Sequence, residues 1–248
     1  MILPQDYRPP GDLLAGRVIL VTGAGQGLGR AVAMACASHG ATVALLGRRQ
    51  DKLEATYDAI GAAGGPEPAL VPLDLEHAGS AEFESLAHLL RKDLERLDGI
   101  AHCASHFVAL GPLVNQSLET WMRLLKVNLA APFAITRACL PLLAAAPDSS
   151  VVFTGETHAL QPAAYWGGFA VSKSGLTPLV QIWSDERSRT PNPRMNVLVP
   201  GPVATPQRAR SHPGEDPARL RAPEEAARAY LWLLGPDSAS TNGKTLSL

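Results

Sequence analysis

Directly after an apolar run, Arg17 to Thr22, and before a helix-prone stretch from Arg30 lies Thr22-Gly23-Ala24-Gly25-Gln26-Gly27-Leu28-Gly29. Glycines at alternate positions let a chain turn tightly and bring its backbone against a bulky anion without Cβ clashes. The helix that follows opens with unpaired N–H groups and a partial positive charge, which suits a pyrophosphate. The spacing is not G-x-G-x-x-G, so the argument rests on the turn's place between a first strand and a first helix. Gly23, Gly25, Gln26, Gly27, Leu28 and Gly29 are therefore the expected cradle of a dinucleotide. Nineteen residues past Gly29 stand Arg48 and Arg49, about where dinucleotide folds place an acid for the ribose 2′-hydroxyl. A guanidinium there can form charge-assisted bonds to a 2′-phosphate that an acid would repel. NADP(H) is expected in preference to NAD(H).

Other chemistries find less support. His102 and His106 are four apart, but they follow a strand and no nearby carboxylate completes a metal site, so none is expected. Cys36, Cys103 and Cys139 are odd in number and far apart, which fits a reducing cytoplasm. No Gly-x-Ser-x-Gly elbow points to a hydrolase. The chain carries 22 Lys+Arg against 23 Asp+Glu, for a net charge of -1, and so has no general pull toward nucleic acid or an anionic membrane. Its start lacks the basic and apolar regions of a signal peptide. The longest apolar stretch, Pro132 to Ala146, is cut by Arg137 and Pro141 and is shorter than the roughly 20 residues of a bilayer span. A soluble, cytoplasmic protein is expected.

The elements that must position these groups alternate along the chain. Apolar runs read as strands at Arg17 to Thr22, Ala41 to Leu46, Ala69 to Leu73, Gly99 to Cys103, Val151 to Thr154, Met195 to Val199 and Thr245 to Leu248. Helical stretches fall between them: Arg30 to His39, Asp51 to Ala63, Ala81 to Leu97, Leu118 to Ala146 and Gly167 to Ser188, the last with a kink expected at Pro178. Pro202 to Pro223 reads as loop and Glu224 to Leu234 as helix. Seven such strands alternating with helices imply an α/β fold, a doubly wound Rossmann domain with a seven-stranded parallel sheet and helices on both faces. No linker divides residues 1–248, which are expected to form a single domain. Charged residues are only 18% against roughly 25% in ordinary soluble domains. That shortfall suggests surface buried between copies, as in a homodimer or homotetramer. Trp121, Trp183 and Trp232 suit core or subunit contacts, and Trp166 a substrate pocket.

From Val18 to Leu248 the chain resembles the short-chain dehydrogenase/reductase family. Thr22 to Gly29 is similar to its coenzyme motif, and Leu45-Leu46-Gly47-Arg48 and Tyr230-Leu231-Trp232-Leu233 share wording with a group of bacterial members. The resemblance implies that Asp74, with Leu75 beside it, meets the adenine. Pro200, Gly201, Val203 and Thr205 would meet the nicotinamide end. Where the family has Asn-Asn-Ala-Gly after the fourth strand, this chain has His102-Cys103-Ala104-Ser105, so Cys103, Ala104 and Ser105 fall at the cofactor ribose. Asn128 in Lys126-Val127-Asn128-Leu129 matches the Asn of the central helix, and Ser172-Lys173 ends a Tyr-x-x-x-Lys motif.

In that family the Tyr exchanges a proton with the substrate oxygen while hydride moves to or from the nicotinamide. The Lys favours the phenolate and holds the ribose, a Ser hydrogen-bonds the carbonyl, and the Asn assists a proton path. Here Lys173 and Asn128 are kept, but Phe169 stands for the Tyr and Glu156 for the Ser. Two implications follow. One is an oxidoreductase acting on the alcohol/carbonyl pair of a small-molecule substrate, with its proton donor replaced. Glu156, its pKa raised by an apolar pocket, is then the leading donor, with Tyr165, two turns back if the helix extends that far, His158 and Thr157 near it. The other is a dinucleotide-binding homologue without turnover, a sensor or partner subunit. Glu156 also has a plainer reading, as an ion pair with Lys173 across the crevice. The stretch Gln207 to Arg221 matches a mobile lid, whose arginines either favour an anionic substrate or are ordinary solvated charges.

Overall fold

The apolar runs pair as seven parallel strands in the order β3-β2-β1-β4-β5-β6-β7. The computed structural model describes residues 7–190 and 192–248. The strands are β1 Val18–Thr22, β2 Thr42–Gly47, β3 Ala69–Pro72, β4 Gly99–His102, β5 Ser150–Thr154, β6 Arg194–Val199 and β7 Thr245–Ser247. β1, β4 and β6 are buried along their whole length. Their apolar positions therefore do not alternate with exposed polar ones, and the polar residues they carry, His102, Arg194 and Asn196 among them, are buried as well.

Ten α-helices occur among the described residues: α1 Gly27–Ser38, α2 Gln50–Ala62, α3 Ser80–Leu94, α4 Leu118–Leu125, α5 Ala131–Ala145, α6 Thr157–Leu160, α7 Gly167–Ser174, α8 Leu176–Glu186, α9 Pro206–Ser211 and α10 Pro223–Leu234. One core layer joins α1 and α10 to the sheet through Val32, Cys36, Tyr230 and Leu234. The other joins α3, α5 and α8 to its opposite face through Phe83, Leu90, Ile135, Leu143 and Val180. The sheet runs outward from β1 in both directions, to β2 and β3 on one side and to β4 on the other. Such a reversal opens a crevice beyond the carboxyl ends of the strands.

Several stretches differ from their sequence reading. The helix expected over 167–188 breaks at Gly175, not at Pro178. Proline's ring crowds the carbonyl four residues earlier, which is that of Ser174, so the break falls one turn ahead of it. The 118–146 helix passes through a π turn at Lys126–Ala130. Pro132 has no N–H to offer the Asn128 carbonyl, so the regular ladder cannot run through this point. The loop expected over 202–223 contains α9, whose Thr205 accepts the Arg208 N–H at 3.2 Å. Finally, the helical stretch Leu118–Ala145, 28 residues, is by length and composition sufficient to cross a bilayer, unlike the shorter apolar run read from sequence. Half of its most apolar window is buried, with Ile135, Cys139 and Leu143 fully inside.

Candidate active site

At the carboxyl edge of the sheet lies a cleft of about 560 Å³. At its floor the β1–α1 turn places Gly23 at φ +70° with its missing Cβ 2.9 Å from the Ala104 Cα. A Cβ on Gly25 would fall 2.8 Å from that of Lys52, and one on Gly29 would collide with the Gly23 carbonyl oxygen. The turn is thus closed to side chains by its own packing. Thr22 Oγ1 accepts the Ala104 N–H at 3.0 Å and ties it to the segment after β4. Gln26 makes no side-chain capping bond to α1, so the first N–H groups of that helix stay open to an anion.

Toward the outer end, Arg48 and Arg49 follow β2 and are exposed. Arg49 forms a fork with Asp51, at 2.6 and 3.1 Å, which holds its pKa up and that of Asp51 down. Arg48 has no ion pair among the described residues. Lys52, which sequence reading missed, also lines this end and donates to the Gln26 carboxamide. Its signal was its place one helical turn past Arg48 and Arg49. Asp74 accepts the Glu76 N–H at 3.0 Å and meets His77 at 3.2 Å. Against the cost of its burial, these bonds and the charges of His77 and Arg48 hold its carboxyl below the usual range. Leu75 lies buried beside it.

At the inner end Lys173 is buried on α7 and donates from Nζ to the Thr154 carbonyl at 2.9 Å. Burial pushes its pKa down to about 8, against the opposing pull of Glu156 and Cys103. Glu156 is half-buried at the start of α6 and lines the cleft. No ion pair within 4 Å joins it to Lys173 among the described residues. Asp74 and Glu76, the cleft's other carboxylates, are both engaged, Glu76 with Arg123 at 2.7 Å. Phe169, 2% exposed, packs with Phe107, Leu124 and Trp166 and turns one side to the cleft.

The cleft brings together every candidate cofactor and catalytic residue read from sequence except Asn128 and Tyr165. Cys103, Ala104, Ser105, Pro200, Gly201, Val203 and Thr205 all line it. Asn128 is fully buried behind it. Its Nδ2 donates to the His106 carbonyl and to Ser172 Oγ, both at 2.9 Å, and its Oδ1 accepts the His106 N–H at 2.8 Å. Tyr165 falls before α7 at φ 72°, exposed, and does not line the cleft. His106 and His212 do. Sequence reading weighed His106 only as a metal ligand, and His212 carried no motif that marks it. Among the described residues no group of three His, Cys, Asp or Glu side chains could hold a metal.

This fold and cleft define a nucleotide-binding α/β protein, and the comparisons name its class. The short chain dehydrogenase family model matches residues 17–216, and the chain belongs to that family. It is 38% identical over 239 residues to the uncharacterized oxidoreductase YciK of Escherichia coli (strain K12), covering 96% of this chain and 94% of that one. It superimposes at a TM-score of 0.95 and 41% identity on a short chain dehydrogenase from Pseudomonas syringae, over 98% of both chains. A short chain dehydrogenase from Escherichia coli CFT073, solved with NADPH, matches at a TM-score of 0.93 and 38% identity, over 96% of this chain and 99% of that one.

Proposed function

We propose that the protein is an NADP(H)-dependent oxidoreductase of the short-chain dehydrogenase type, acting on the alcohol/carbonyl pair of a small molecule, with proton exchange moved away from position 169. The observation that carries this reading is the cleft itself. It joins a glycine floor that a Cβ at 23, 25 or 29 would obstruct to a buried lysine at the inner end. The Escherichia coli CFT073 relative, solved with NADPH, supports the choice of cofactor.

The residues present fit NADP(H). Gly23 to Gly29 and the open N–H groups of α1 would hold the pyrophosphate. Arg48, with Arg49 and Lys52 beside it, would hold the 2′-phosphate, and Asp74 and Leu75 would border the adenine. Cys103 to Ser105, Lys173 and Pro200 to Thr205 would border the ribose and nicotinamide. The bound cofactor supplies or accepts the hydride. Lys173 offers a cation to the oxygen on which charge develops. Glu156, the cleft carboxyl without a competing ion pair, exchanges the proton with that oxygen.

A second reading, dinucleotide binding without turnover, is favoured by one observation: the Phe169 ring is packed among Phe107 and Trp166 and offers no exchangeable proton. The test is turnover of NADPH with a panel of aldehydes and ketones. Turnover that falls in Glu156→Gln supports the first reading. Binding without turnover, with activity gained in Phe169→Tyr plus Glu156→Ser, supports the second.

The same proposal takes residues 1–248 as one domain in a cytoplasmic homodimer or homotetramer that binds neither nucleic acid nor membrane. The free cysteines and the exposed apolar side chains of Leu118, Met122 and Ile182 support it. Size-exclusion chromatography that shows a monomer would remove the assembly.

A further inference from the structure

The inner end of the cleft is walled by rings that hydride transfer to a simple carbonyl would not need. Trp166 lies against His158 with ring centroids 4.0 Å apart, and against His212 at 6.0 Å. Phe169 is 6.1 Å from Trp166 and meets Phe107 edge to face at 5.1 Å. Arg210 stands over the Phe107 ring at 5.6 Å. These rings come from separate places in the chain: the segment after β4, α6, the residue before α7 with α7 itself, and the residue after α9. Of them, His158, Trp166, Phe169 and His212 line the cleft together with Lys173. An aliphatic substrate gains only buried area from such a wall, whereas a π-system also gains offset and edge-to-face contacts.

None of the four tyrosines, at 7, 57, 165 and 230, lines the cleft. The Ser172 hydroxyl is turned inward, donating to the Phe169 carbonyl at 2.8 Å and accepting from Asn128. Hydroxyls do line the cleft at Ser105, Thr154, Thr157, Thr205 and Ser211, so the preference for a ring rests on the aromatic wall alone.

We propose that the substrate is a planar aryl ketone or aryl aldehyde, its ring held against Trp166, His158 and His212 and its carbonyl directed at Lys173. This rests on the oxidoreductase reading above. In the reductive direction the carbonyl carbon accepts a hydride from reduced nicotinamide, and the C=O π pair moves onto oxygen. That oxygen takes one proton from the Glu156 carboxyl, which solvent restores, and the product is the aryl alcohol.

The test uses the full chain saturated with NADP+, so that no reduction occurs, and reads binding by calorimetry. The probes are 2-acetylnaphthalene and its fully saturated decalin counterpart. The aryl ketone is expected to bind about tenfold more tightly, with the preference reduced severalfold in Trp166→Leu and in His158→Leu. His158 is half-exposed, so its variant keeps the test alive if Trp166→Leu does not fold. Equal or tighter binding of the saturated ketone, or a preference untouched by both variants, overturns the proposal. Failure of NADP+ to bind overturns the cofactor reading instead, and the same two titrations on the protein alone still decide the ring preference.

Discussion

Phe169 meets Phe107 edge to face, with ring centroids 5.1 Å apart and planes at 87°. The ring at 169 is therefore a packing element as well as a cleft wall. Phe169→Ala is expected to cost about 3–5 kcal/mol of stability, the usual loss for a buried phenylalanine. Phe169→Tyr, which keeps the ring, should stay within about 1.5 kcal/mol of the parent. Urea denaturation of the two variants checks this, and similar losses in both would mean that the cleft side has no room for a hydroxyl.

Arg48 and Arg49 are neighbours with different engagements. Arg49 is forked onto Asp51 while Arg48 has no ion pair among the described residues. Arg48→Ala should therefore weaken NADPH about tenfold, the loss of a charged hydrogen bond, and leave NADH nearly unchanged. Arg49→Ala should do less. Paired titrations with both cofactors measure it, and a larger effect at Arg49 would show that the Asp51 fork opens on binding.

Lys173 has its pKa lowered to about 8 from an ordinary 10.5, chiefly by burial. Between those values the unfolded chain holds a proton that the folded chain has released, so this group makes stability rise with pH across that window. Below about pH 8 both states are charged and the cost of burying the ammonium is fully present. Relative to Lys173→Met, the parent should gain stability between pH 8 and 10. Chemical denaturation of the pair at both values tests the direction, and a constant difference would place the charge in water rather than in the fold.

The strands were legible because strands buried on both faces are mostly apolar, as in Val18–Thr22 and, apart from Asn196, in Met195 to Val199. The glycine floor was legible because its chemistry is local: Gly23 needs its positive φ and its close approach to Ala104 whatever else the fold does. Tertiary relations were not. Asn128 stands in the helical region that sequence placed at 118–146, within its π turn, and its amide closes on His106 and Ser172 behind the cleft. His212 reaches Trp166 only because α9 folds where sequence showed loop. Tyr165 leaves the site because the backbone turns at φ 72° before α7 begins, a conformation that no periodicity announces.

The central claim is a dinucleotide seated on the glycine floor, and calorimetric titration with NADPH tests it most directly. The account predicts one site per chain, weaker binding of NADH, and loss of both in Gly23→Val, whose side chain must enter the 2.9 Å gap to Ala104. No heat with either cofactor, or binding unchanged in Gly23→Val, would contradict it.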